Sequence, residues 1–154
     1  MKIVPFLLCL LAGGLIMAGS VQAKATKNDG CHKVKSTGVG QDLGGGNTMA
    51  TIKGGKLKGS TTGHFDIGGT PPVFLISGTV TFTTKHGTLT VTPSGTFDIT
   101  SGHFNATGPI SGGTGKWAGT TGSLTLDGIE NLTTGAFTET ITGMTCGAED
   151  DEDD

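Results

Sequence analysis

The chain has no tyrosine and no arginine, one tryptophan, and only five prolines in 154 residues. Without arginine there is no planar, two-pronged donor for gripping phosphate or carboxylate. Lys53, Lys56 and Lys58 make a small basic patch, but no aromatic residues are interleaved with them, so nothing points to a nucleic-acid partner. Helix formers never gather at 3.6-residue spacing after residue 24, which argues against a helical fold. No later segment is apolar enough to cross a bilayer as a helix. Cysteine is scarce as well: Cys9, Cys31 and Cys146.

Catalytic and metal signatures are missing in the same way. Gly115-Lys116 hints at a phosphate loop, but that motif needs a further Gly where Ile110 stands and Ser or Thr where Trp117 stands. No serine occupies a Gly-x-Ser-x-Gly elbow. His32, His64, His86 and His103 show no ligand spacing, so neither a metal nor any other cofactor is expected. The body of the chain is slightly basic from lysine alone. The closing run Glu149 to Asp154 is all acidic and reads as a solvated, disordered tail over 147–154.

What is present begins with a leader. Lys2 precedes the apolar run Ile3 to Ala18, and Val21-Gln22-Ala23 satisfies the small-residue rule for secretory cleavage. Residues 1–23 are therefore expected to be a signal peptide. The mature protein is expected to be secreted or periplasmic, with no membrane attachment after cleavage. Two cysteines then remain, near the two ends of a single domain over 24–146. In an oxidising compartment Cys31 and Cys146 are expected to pair.

Glycine and threonine dominate that domain, and threonine favours a pleated, half-buried surface. Val73 to Thr84 is the strongest strand, with Val80 and Phe82 alternating against Thr79, Thr81 and Thr83. Further strands are predicted over Val34 to Gly40, Thr48 to Lys53, Leu57 to Ile67, Leu89 to Val91, Thr96 to Thr100, His103 to Thr107, Ser123 to Leu126, Ile129 to Leu132 and Ala136 to Thr145. Turns are predicted at Gly44-Gly45-Gly46-Asn47, Thr70-Pro71-Pro72, Lys85-His86-Gly87, Pro93-Ser94-Gly95, Ser101-Gly102 and Asp127-Gly128. Short strands with turn signals every ten or so residues indicate an all-β antiparallel sandwich or barrel.

A short echo recurs along the chain. Gly63-His64-Phe65, Gly95-Thr96-Phe97, Gly102-His103-Phe104 and Gly135-Ala136-Phe137 each place Phe two residues after glycine. Alternation sends those rings to one face and His64 and His103 to the other. Phe65, Phe82, Phe97, Phe104, Trp117 and Phe137 are thus the candidate lining of a shared interior. Glu139 has the same parity as Phe137 and Ile141, so regular pleating turns it inward, whereas a bulge or a rim position would leave it wet. A buried, unpaired carboxyl there would titrate high and could meet a ligand's polar end. Asn105-Ala106-Thr107 and Asn131-Leu132-Thr133 match the N-glycosylation pattern, which matters only in a eukaryotic host.

The stretch Gly112-Gly113-Thr114-Gly115-Lys116-Trp117-Ala118-Gly119 resembles the glycine motif of the allene oxide cyclase and dirigent barrels. Phe82-Thr83-Thr84-Lys85-His86-Gly87-Thr88-Leu89 resembles exported bacterial barrels of that type. The likeness covers roughly Lys56 to Thr145 and implies a single antiparallel β-barrel of about eight strands around a cavity. Dirigent activity in the family is associated with cavity acids and arginine, and this chain lacks arginine. The expectation is a barrel that binds a small apolar molecule without catalysis. An isomerase or cyclase, and a glycan- or ice-binding surface built on Thr79-Val80-Thr81 and Thr138-Glu139-Thr140, are the alternatives.

Overall fold

A computed structural model describes residues 30–147. The expected leader over 1–23, the polar segment after it and the acidic run beyond Gly147 lie outside the described residues. Nine strands follow one another: β1 (Cys31–Gly44), β2 (Asn47–Lys53), β3 (Gly59–Thr70), β4 (Val73–Thr84), β5 (Gly87–Val91), β6 (Ser94–Asp98), β7 (His103–Gly113), β8 (Thr121–Glu130) and β9 (Ala136–Cys146). All pair antiparallel, in the order β3-β2-β1-β9-β8-β7-β5-β4-β6, with β3–β4 and β7–β6 completing the ring. The result is a closed eight-stranded barrel, because β5 and β6 share one lane between β4 and β7. Closure leaves no unpaired edge on a threonine-rich sheet.

The shared lane corrects the turn expected at Pro93-Ser94-Gly95. Pro93 has no N–H to give to a ladder, so pairing lapses there while the chain continues in the same direction. The Pro93 carbonyl still accepts the Gly78 N–H at 3.0 Å, and Thr92 N–H reaches the Pro109 carbonyl at 3.1 Å. A second correction concerns Asp127-Gly128, which lies inside β8 rather than at a turn. Gly128 is needed there for space: a Cβ on it would strike the Phe104 ring. The glycine-rich stretch opening at Ser111 likewise stays in β7 as far as Gly113 and turns only afterwards.

First and last strands meet along an unbroken register from Cys31↔Cys146 to Gln41↔Ala136, and the Cys31–Cys146 disulfide pins one end of that seam. This end is packed solid. Ile52, Phe82, Leu89, Val91, Leu124 and Ile141 are fully buried. Trp117, in a single 3-10 turn, plugs the barrel at 4 % exposure and donates its indole N–H to Thr84 Oγ1 at 3.0 Å. Thr145 is also fully buried here, and among the described residues its hydroxyl has no hydrogen-bond partner. Thr145→Val keeps the shape and removes that orphan. It is expected to raise the unfolding free energy by about 1 kcal/mol in a urea titration.

Charge divides along the barrel axis. Among the described residues the lysines Lys33, Lys35, Lys53, Lys56, Lys58, Lys85 and Lys116 all occupy the cysteine end. The carboxylates Asp42, Asp66, Asp98, Asp127, Glu130 and Glu139 all lie in the strand halves toward the opposite end.

Candidate functional site

The half of the barrel away from the disulfide is hollow. A partly enclosed cavity of about 440 Å³ lies there, within the roughly 300–1,000 Å³ typical of small-molecule sites. Strand parity builds its wall. Phe65 comes from β3, Phe97 from β6, Phe104 from β7 and Phe137 from β9, as the glycine-phenylalanine echo predicts. Phe104 and Phe137 meet edge to face, with ring centroids 5.8 Å apart and planes at 88°. Ile67, Ile76, Val80, Ala106 and Leu126 supply the remaining apolar surface. Phe82 and Trp117 do not line this space and belong to the packed end.

Hollowness has a local cause. On β1, Gly38 stands opposite Glu139 and Gly40 opposite Phe137; on β8, Gly128 stands opposite both Glu139 and Phe104. Glycines thus flank Glu139 on both neighbouring strands, and a Cβ at Gly38 would come within 2.6 Å of Glu139 Oε1. The niche is shaped to this side chain.

Glu139 is 8 % exposed and lines the cavity. The β9 register is unbroken on both sides, so no bulge turns it toward water. Among the described residues no hydrogen bond or ion pair reaches its carboxyl, and burial pushes it up from the usual 4.5 to about 7. It is therefore divided between acid and carboxylate near neutrality.

Sequence reasoning missed the rim. Asp42 at the end of β1, Glu130 at the end of β8 and His64 and Asp66 on β3 surround the mouth. Burial, with the neighbouring Asp42 charge second, raises the Glu130 carboxyl above its usual value. His64 is exposed and shares a 3.0 Å hydrogen bond with Asn47 through Nδ1. The β1–β2 turn is drawn over β3 beside Phe65, whose N–H donates to the Gly46 carbonyl at 2.8 Å. Gly46 has φ +79, and a Cβ there would collide with the Phe65 carbonyl. Parity held the missing signal: Asp42 is in phase with Val34 and Ser36, and Glu130 with Leu124 and Leu126.

On the outer wall, His103 faces solvent beside Asp127 at 3.2 Å, and Asn105 donates to the same carboxylate at 2.7 Å. Outer threonines bond one another across strands, as in Thr107–Thr125 and Thr88–Thr114, both 2.8 Å between hydroxyls. Their wall curves closed, unlike the flat rank an ice surface needs. No protein-family model, curated protein or solved structure matches the chain.

Proposed function

We propose that the protein is an exported barrel that holds a small, mainly apolar molecule in its interior without transforming it. The observation that carries this reading is the phenylalanine-lined cavity at one end of an otherwise solid barrel. Export rests on the leader pattern and fits the Cys31–Cys146 disulfide, a bond that persists in oxidising compartments. Allene oxide cyclase-like ancestry remains a resemblance of motif.

A second reading, an isomerase or cyclase acting by positioning, is favoured by one observation: a single carboxyl deep in an apolar cavity, able to give or take a proton near neutral pH. Against it, among the described residues no second polar group pairs with Glu139 to share the work of acid and base. Binding is the better-supported role.

The neutral fluorophore N-phenyl-1-naphthylamine tests it. Saturable enhancement at one site per chain is expected, and Ala106→Phe, which puts a ring into the cavity, is expected to weaken it at least about tenfold. Unsaturable binding, or binding indifferent to Ala106→Phe in a variant that still unfolds cooperatively, would overturn the assignment.

A further inference from the structure

Resting on the binding role just proposed, the chemistry of the cavity narrows the ligand class. We propose that the cavity takes an apolar amine, its hydrocarbon body among Phe65, Phe97, Phe104 and Phe137 and its ammonium group against the Glu139 carboxylate.

Three independent features converge on a cation. Glu139 is buried and aimed into the cavity, and among the described residues no hydrogen bond or ion pair reaches its carboxyl. A buried carboxylate without a partner is costly, and an incoming ammonium satisfies it with a short, charge-assisted hydrogen bond. Thr61 of β3 is also buried and among the lining residues, adding a polar residue to an otherwise mainly apolar interior.

The mouth has the same sign. Asp42 and Glu130, both in the inward phase, stand at it, and among the described residues no lysine lines the cavity. The lysines of the described residues occupy the far end. An acid-bearing amphiphile such as a fatty acid would therefore cross a ring of like charge and end against a carboxyl. Electrostatic focusing at the rim draws cations instead.

The walls agree. Phenylalanine faces attract cations and repel anions, so the aromatic lining contributes in the same direction as the carboxylates. A neutral alcohol or ketone gains only from the apolar surface and from the protonated fraction of Glu139.

The pH dependence follows from the groups facing the cavity. By strand parity these are Asp42 from β1, Glu130 from β8 and Glu139 from β9; His64 and Asp66 of β3 border the cavity but alternate with the inward Phe65, and among the described residues β2, β4, β5, β6 and β7 contribute none. Binding an ammonium requires Glu139 ionised, so amine affinity weakens as pH falls below about 7, approaching tenfold per pH unit. A neutral ligand has no such slope.

Three naphthalenes of nearly equal size separate the possibilities: 1-naphthylmethylamine, 1-naphthalenemethanol and 1-naphthoic acid, titrated calorimetrically and by displacement of N-phenyl-1-naphthylamine at pH 8. The amine is expected to bind at least about tenfold tighter than the alcohol, and the acid more weakly than either. Glu139→Gln, nearly isosteric, is expected to bring the amine to the alcohol's affinity while changing the alcohol less than about threefold. Asp42→Asn is expected to weaken the amine only about two- to fivefold, as a screened rim charge should. Equal binding of amine and alcohol would overturn the amine assignment and leave the apolar-cavity role standing. Amine preference that survives Glu139→Gln would overturn Glu139 as its partner. Failure of all three naphthalenes, with N-phenyl-1-naphthylamine also unbound, would remove the binding role itself.

Discussion

Replacing both cysteines, Cys31→Ser with Cys146→Ser, is expected to lower the unfolding free energy by about 4–5 kcal/mol, a loss of about 15–20 °C in Tm for a domain of this size. The bond spans 115 residues, nearly the whole described chain, so reducing it frees an unfolded ensemble that had been held in one large loop. Its placement raises the stakes. It clamps the outermost rung of the β1–β9 seam, and that seam is the pairing that closes the ring. Ladder bonds along the remaining rungs persist without it, so the variant is expected to fold at low temperature. Differential scanning calorimetry of the double variant, beside wild type with and without reductant, reads the effect. A drop of only 2–3 °C would mean that ladder and core close the barrel unaided.

Strand existence was legible because threonine-apolar alternation marks each strand directly. Val73 to Thr84 coincides with β4 at both ends, and the Pro71-Pro72 and Ser101-Gly102 turns fall between strands as expected. Pattern misleads where one residue type serves two purposes. Glycine signals punctuation, but Gly128 and Gly113 sit within strands because a neighbour fills the place of their Cβ. Pro93 signals a reversal, but it interrupts a ladder without reversing the chain. The residues alone left sandwich and barrel open, since both need the same alternation. The pairing of β1 with β9, strands at opposite ends of the described chain, decides between them and is invisible to local pattern.

The site was legible by parity and obscure in depth. Alternation placed Phe65, Phe97, Phe104 and Phe137 inside together and gave Glu139 the same parity, but a wet bulge or rim position is the reading it favours for Glu139, and the unbroken β9 register excludes the bulge. Alternation carries no coordinate along the barrel axis, so Phe82 and Trp117, also inward, were grouped with those rings although they pack at the plugged end. The same blindness hid the rim: Asp42 and Glu130 follow the inward phase but close their strands at the mouth. Axial position comes from register, which places β1's Gly38 and β8's Gly128 on either side of Glu139.

Glu139→Gln is expected to be neutral for stability at pH 4 and stabilising by up to about 3 kcal/mol at pH 8. The Glu139 carboxyl titrates at about 7 in the folded barrel and at the usual 4.5 when exposed, because burial disfavours its charge. Between those values the folded state holds more protons than the unfolded state, so wild-type stability falls as pH rises and levels off above 7. Glutamine has the shape of the neutral acid and does not titrate, so the variant lacks this decline. Glu130, raised in the same direction, and every other titrating group are common to both proteins and cancel in the difference. Paired urea titrations from pH 4 to 8 measure it. A flat difference would show that water or a partner already meets the Glu139 carboxylate, and would remove the reason to assign it a ligand. A difference that opens between pH 5 and 7 identifies a group that weakens the fold at neutral pH. Saturating 1-naphthylmethylamine should then narrow the gap by stabilising wild type more than the variant, because only the ionised carboxylate gains a counter-charge on binding.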